Sequence, residues 1–265
     1  MINNMDKITK NHTLFQIQPT FNARNEYEKL ADEEGLLYEI IELSTPPALN
    51  ESGFFSNALE WYKSTGRVNS FHGAFIDINP ASGDKLLKEL SRKRMKESCV
   101  TALALGAKNI VFHCSCFPFL RGGYLDNWAK ESAEFYLELL DEYKLNIYVE
   151  NSFDVDATPL KELMKVINNN HVRVCLDFGH ANYSRLPLEQ WFESLGEYIG
   201  YLHISNNMGD FDDHLPVLDG NIDWKKVNKL CGKLDKNTPI TLEVNTIDNI
   251  RSALDFFKEN HLFGM

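Results

Sequence analysis

Eight short segments rich in β-branched and aromatic residues recur along the chain, each followed by a longer stretch with helical periodicity. The strand-like segments are HTLFQIQ, LYEIIELS, VNSFHGAF, KNIVFHCS, NIYVENS, VRVCLDF, GYLHISN and PITLEVN. Helical stretches run from Asn25 to Glu34, within Gly53 to Ser64, and then from Asp84 to Leu105, Asn127 to Tyr143 and Pro159 to Asn168. Three more follow at Leu188 to Leu195, Trp224 to Leu234 and Ile247 to Asn260. Strand and helix in strict alternation form a parallel sheet with crossover helices. Eight such units predict an α/β fold, a (β/α)8 TIM barrel, and 265 residues is close to the usual length of about 250 for that fold. Asp84 and Asp126 are placed to cap helix N-termini, and Gly35, Gly66 and Gly106 to cap C-termini. No linker or low-complexity segment interrupts the pattern, so a single domain over residues 1–265 is expected.

Composition adds little to that picture, being that of a globular protein with 43% hydrophobic and 25% charged residues. No apolar run approaches the roughly 18 residues that span a bilayer. The amino-terminal MINNMDKITKNH lacks the apolar region of a secretion signal, which predicts no membrane insertion and a cytoplasmic location. Five cysteines, an odd number, fit reduced thiols. Cys114 and Cys116 form a C-x-C after His113, but no second pair completes a thiolate metal site, so packing is the expected role. The formal net charge of −11, from 27 Lys and Arg against 38 Asp and Glu, argues against nucleic acid as a partner. The one basic run, KLLKELSRKRMKES, reads as a solvated helix face.

Charge placement is more informative than its total. Six of the strand-like segments carry a metal-type ligand towards their C-terminal ends: His72, His113, Glu150, Asp177 with His180, His203, and Glu243. Asp212 and His214 follow in the long loop from Asn206 to Asp223, where Gly209 and Gly220 are expected to allow sharp turns. Any one such residue is more often a satisfied polar side chain than a ligand. Repetition changes the balance, because a barrel points all its strand C-termini at one mouth. Imidazole and carboxylate suit zinc, manganese and other divalent ions.

With these residues in view the chain resembles the xylose isomerase-like barrel superfamily, which holds sugar isomerases and epimerases together with endonuclease IV-type enzymes. The DFGHAN around Asp177, the HISN at His203 and the DDHLPVLDGNIDW after it carry the resemblance, in order and spacing, over nearly the whole chain. In the isomerase and epimerase branch it implies one divalent ion, manganese or zinc, on Glu150, Asp177, His203 and Glu243. Glu150 and Glu243 would then act as acid and base on opposite faces of a sugar or sugar-phosphate carbon, passing a proton through an enediolate. His180 and His214 would hold substrate oxygens. In the endonuclease branch it implies three zinc ions, on His72, His113 and Glu150, on Glu150, Asp177, His203 and Glu243, and on His180, Asp212 and His214.

The chain departs from the endonuclease pattern at CSCFPFLRGG after His113, at ENSFD after strand five and at LPVLDG after His214. These departures, with the acidic charge, weigh against abasic-DNA cleavage and for an isomerase or epimerase. Asn151, Asn182, Asn206 and Arg121 are the expected polar contacts to substrate, and Phe75, Phe117, Phe119, Phe153 and Tyr183 the expected aromatic wall. A ligand-binding barrel without turnover is the weakest reading, since both presumptive acid/base carboxylates are present.

Overall fold

Residues 14–184 and 186–265 are described by the computed structural model of the chain. Among them eight parallel strands pair each with the next, and the eighth closes on the first. The strands are β1 Phe15–Ile17, β2 Leu37–Ile40, β3 Val68–His72, β4 Asn109–His113, β5 Asn146–Glu150, β6 Val172–Asp177, β7 Ile199–Ile204 and β8 Ile240–Leu242. The amino-terminal MINNMDKITKNH, with the expected strand residues His12 and Thr13, lies outside the described residues.

Helices α1 Arg24–Glu34, α2 Pro46–Asn50, α3 Ser52–Thr65, α4 Lys85–Leu105, α5 Tyr124–Tyr143 and α6 Thr158–Ile167 cover the first half of the barrel. They are followed by α7 Phe178–Tyr183, α8 Leu188–Leu195, α9 Trp224–Cys231 and α10 Ile247–Glu259. The sequence pattern does not reveal α2, α7 or the 3₁₀ turn Glu42–Ser44, all too short to show a helical period. Gly35, Gly66 and Gly106 end their helices in the left-handed conformation, as expected. Asp84 caps α4, its Oδ1 accepting from the N–H of Leu86 at 2.9 Å and Leu87 at 3.1 Å. Asp126 is not a cap: α5 starts earlier, at Tyr124, because Gly122 and Gly123 at positive φ turn the chain there, and Asp126 sits in its first turn.

Each strand serves two environments, since alternate side chains face opposite ways. Outward residues such as Ile40, Phe71, Phe112, Val149, Leu176, Ile204 and Leu242 join the helices in the main core. Burying each such side chain contributes about 1.5–3 kcal/mol. Inside the barrel, among the described residues, a small apolar cluster forms from Val111, Tyr148, Cys175 and Tyr201. Above it the interior turns polar, with Gln16, Glu39, Ser70, His72, Glu150, Asp177, His203 and Thr241 all buried. That departs from the bulky branched filling usual for such barrels, and it marks where the chemistry sits.

Replacing Asp84 by Ala leaves two N–H groups of α4 without their acceptor and should cost about 1 kcal/mol. In calorimetry the melting temperature should fall by roughly 2–4 °C. An unchanged midpoint would mean that water replaces the cap.

Candidate metal centre

Register brings the strand ends level. His113 pairs with Glu150 across β4 and β5, and Asp177 with His203 across β6 and β7. Glu243 follows the last residue of β8, and His180 lies one turn into α7. Helix α7 exists because the Asp177 carboxylate accepts from the His180 N–H at 2.5 Å, so a single side chain ends the strand and starts the helix.

The loop after β7 folds back over the mouth. Asn206 and Leu215 pair in both directions, with N···O distances of 3.2 and 2.7 Å, and Asn206 Nδ2 donates to the Val217 carbonyl at 2.7 Å. Gly209 turns with a φ of +88°, as expected of it. Gly220 has another reason to be glycine: a Cβ there would stand 2.2 Å from Asn206 Oδ1. His214 takes a positive φ of +46°, uncommon for a residue with a side chain, and so turns its ring inward.

All nine expected ligand-type residues thereby meet at one mouth, in three sets whose donor atoms lie within 4.8 Å of one another: His72, His113 and Glu150; Glu150, Asp177, His203 and Glu243; and His180, Asp212 and His214. Glu150 sits at the centre. Its Oε2 is 3.1 Å from His72 Nε2 and 3.5 Å from His113 Nε2, and its Oε1 is 3.3 Å from His180 Nδ1 and 3.2 Å from His203 Nδ1. Asp212 bridges His180 Nε2 at 3.2 Å and His214 Nε2 at 3.3 Å. Cys175 also lies within donor range of Glu150 and His203, beneath them in the barrel.

The imidazoles are oriented as ligands are. His72, His180 and His214 each donate Nδ1–H to a backbone carbonyl, of Gly73 at 3.0 Å, Asn151 at 2.7 Å and Glu243 at 3.2 Å. That turns Nε2 into the mouth, where it meets Glu150 from His72 and Asp212 from His180 and His214, the orientation in which metal-bound histidines are usually held. His203 is reversed, with Nε2 on the Glu39 carboxylate at 3.2 Å. Its Nδ1 stands 3.2 Å from Oε1 of both Glu150 and Glu243, yet it has no hydrogen-bond partner, and neither has buried Asp177 Oδ2. Two buried polar atoms without hydrogen-bond partners, in the same four-residue set, fit a cation between them.

Electrostatics lead to the same place. Burial penalises the charge on His203, but Cys175, Glu243, Glu39 and Glu150 together outweigh it and hold its pKa well above the histidine range. His180 is likewise raised, against burial, by Asp177, Asp212 and Glu150. Burial pushes Asp177 up to about 7, with Glu243 and Glu150 adding to the rise, and pushes His113 down to about 3. Burial would raise Glu150 too, but His203, His113 and His180 bring it well below the carboxylate range. Protons on imidazole thus balance the carboxylates, and a divalent cation would displace them.

Of the expected substrate contacts, Asn151 and Asn206 have their amides turned to the backbone. Asn151 Nδ2 donates to the Asp177 carbonyl at 3.0 Å, and its Oδ1 accepts from the Asp177 N–H at 2.8 Å. Asn182 Nδ2 donates to Asn207 Oδ1 and Asn221 Oδ1 at 2.8 and 2.7 Å, at the rim. These bonds tie β5 to β6 and α7 to the long loop. Phe75 packs against the rings of both His72 and His113, with centroids 5.1 and 5.0 Å away, and Tyr183 lies 5.7 Å from His180. Phe117, Phe119 and Phe153 are exposed, as is Arg121.

Two further residues of the site are absent from the expected set. Glu39 is fully buried on β2, and Gln18, just past β1, donates to Glu39 Oε1 at 2.9 Å and Glu243 Oε1 at 2.5 Å. Their signal is a polar residue at alternate positions of otherwise apolar strands, FQIQ and LYEI.

Chelator-treated protein should melt below protein reloaded with zinc or manganese, by about 2.7 kcal/mol of stability at a free metal concentration of 100 Kd. His203→Asn should close most of that gap. Identical melting curves with and without metal would count against ion binding at this mouth.

Known proteins share this architecture. An uncharacterized protein of Methanocaldococcus jannaschii is 26% identical over 200 residues, which cover 71% of this chain and 68% of that protein. The fold is shared with a D-tagatose 3-epimerase-like protein, with a TM-score of 0.75 and 22% identity over 93% of this chain and 96% of the other. A Thermus thermophilus protein soaked with zinc chloride superposes with a TM-score of 0.73 and 19% identity, covering 92% of this chain and 96% of that one. The family described as "Xylose isomerase-like TIM barrel" matches residues 29–260, and the chain belongs to that family.

Proposed function

We propose that this protein is a divalent-metal-dependent isomerase or epimerase of a sugar or sugar phosphate, working by proton transfer between carboxylates. The observation that carries the reading is the set Glu150, Asp177, His203 and Glu243, buried together with two donor atoms left without partners. Epimerase-like and epimerase neighbours of the same fold support it. A divalent ion on these four residues supplies Lewis acidity, polarising a substrate carbonyl and acidifying the adjacent C–H.

The chain's own groups divide the remaining work. Glu150 is hemmed in by four imidazoles, whereas Glu243 has Gln18 and His203 on Oε1 and only His214, at 3.9 Å, near Oε2. Glu243 is therefore the better placed to remove the proton, and Glu150 to return it from the opposite face. His180 and His214 orient substrate oxygens, Phe75 shields one side of the mouth, and the loop carrying Asp212 limits entry of water.

One observation favours a second reading, a zinc phosphodiesterase acting on abasic DNA: the sets His72, His113 and Glu150, and His180, Asp212 and His214, offer room for two more ions. The net charge of −11 and the loop departures oppose it.

Metal-loaded protein should exchange an α-proton of at least one ketose, aldose or inositol-type substrate with solvent deuterium, followed by NMR. Glu243→Gln and Glu150→Gln should each slow exchange about 10²–10⁴-fold. No exchange across the panel would remove the proton-transfer reading. Near one equivalent of metal by plasma mass spectrometry supports it, whereas three of zinc, with nicking of abasic DNA dependent on His72 and His180, supports the rival.

A further inference from the structure

The four imidazoles whose ring orientation is described above are not held in the same way. His72 at the end of β3, His180 in α7 and His214 in the loop after β7 all stand above the strands, where carbonyls just past the strand ends, those of Gly73, Asn151 and Glu243, are in reach of Nδ1. His203 lies inside β7, between Leu202 and Ile204, and faces the barrel axis. Backbone carbonyls of a parallel sheet point along the sheet to the neighbouring strands, not to the axis. No carbonyl can therefore anchor His203, and a side chain from another strand has to do it.

We propose that Glu39 is that residue, a positioning group that fixes the proton of His203 on Nε2 and so presents Nδ1 to the metal. The inference rests on the metal-dependent reading above and adds to it a residue outside the ligand sets. Glu39 is itself immobilised. Its Oε1 accepts from Gln18 Nε2 at 2.9 Å, and its Oε2 accepts from Tyr201 Oη, from Thr241 Oγ1 at 3.2 Å and from His203 Nε2 at 3.2 Å. Donors from β7 and β8 and from the residue after β1 hold a carboxylate from β2, so the group that orients the ligand is fixed by the closure of the barrel.

A purely structural role explains this arrangement poorly. A carboxylate buried at the axis costs several kcal/mol unless its partners repay it, and Val111, Tyr148 and Cys175 show that apolar or weakly polar side chains fill the same interior. What a carboxylate adds at this position is direction and charge. When ionised it can only accept, so His203 Nε2 donates to it, and the opposite nitrogen faces Glu150 and Glu243, where a cation can displace its proton. Gln18 extends the same control to Glu243, since its one amide nitrogen bridges Glu39 and Glu243. The site is thereby ordered from beneath, by groups outside the ligand sets.

The test begins on the zinc-loaded full chain with ¹⁵N-labelled histidine, in which the ion takes the place of one imidazole proton. Long-range ¹H–¹⁵N NMR should place the His203 proton on Nε2, and His72, His180 and His214, whose Nδ1 atoms donate to backbone, should show the opposite pattern for their neutral forms. Glu39→Gln, which can turn either an oxygen or an amide to His203, should mix the tautomers and weaken zinc binding about 10–100-fold in a chelator competition. Combined with His203→Asn, it should add no further loss. A native His203 proton on Nδ1, an affinity within two-fold of native in Glu39→Gln, or additive losses would each overturn the proposal. The native spectrum needs no variant, so a poorly folding Glu39→Gln leaves that readout intact. A native chain that takes up no zinc overturns the metal reading and this proposal with it; one that binds zinc with the proton on Nδ1 overturns the role of Glu39 alone.

Discussion

Everything at the mouth of this barrel follows from the burial of Glu39, Glu150, Asp177 and Glu243 in one small volume. Ionised carboxylates repel one another and lose their hydration when buried, each at a cost of several kcal/mol after relaxation. Three responses are visible in the structure. Imidazoles interleave with the carboxylates, so that Glu150 alone touches four of them. Asp177 is pushed towards protonation, up to about 7. Neutral donors from Gln18, Tyr201 and Thr241 surround Glu39. A divalent cation would supply the remaining compensation in economical form, two charges at one point shared by several oxygens.

The barrel tolerates this polar interior because stability is generated elsewhere. The outward face of every strand packs on helices, in a continuous core that includes Trp128, Trp191, Trp224, Phe135, Phe178 and Phe257. Strand alternation separates that core from the site by the thickness of one backbone, so a residue such as Leu176 can anchor β6 while Asp177 beside it faces the mouth. The site's precision comes from the same backbone, since the paired strands hold His113 against Glu150 and Asp177 against His203. What varies more freely is the rim, where the loop closed by Asn206 and Leu215 brings Asp212 and His214 into place without a strand to support them.

The orientation of the imidazoles shows how hierarchy enters. Where an imidazole stands above the strand ends, a carbonyl just past a strand orients it, and the information lies in the next residue or on an adjacent loop. Where it stands inside a strand, as His203 does, the orienting group has to cross the barrel, and Glu39 is 164 residues away in sequence. The first kind survives small rearrangements of the barrel. The second exists only when β8 closes on β1 and so brings β2 within reach of β7.

Sequence alone determined the eight-fold alternation, the barrel, and the nine ligand-type residues at the mouth, because these depend on period and on strand-end position, which are local properties. It also marked the helix stops at Gly35, Gly66 and Gly106, where only a residue without Cβ turns cheaply. Tertiary structure decided what no local pattern carries. It turned Asn151 and Asn206 from expected substrate contacts into ties between backbone segments, gave Gly220 its reason in the nearness of Asn206, and moved the start of α5 to Tyr124. Above all it made Glu39 and Gln18 part of the site. Their polarity is plain in the sequence, but their meaning depends on which side chains lie opposite across the axis, and that is fixed only when the last strand closes on the first.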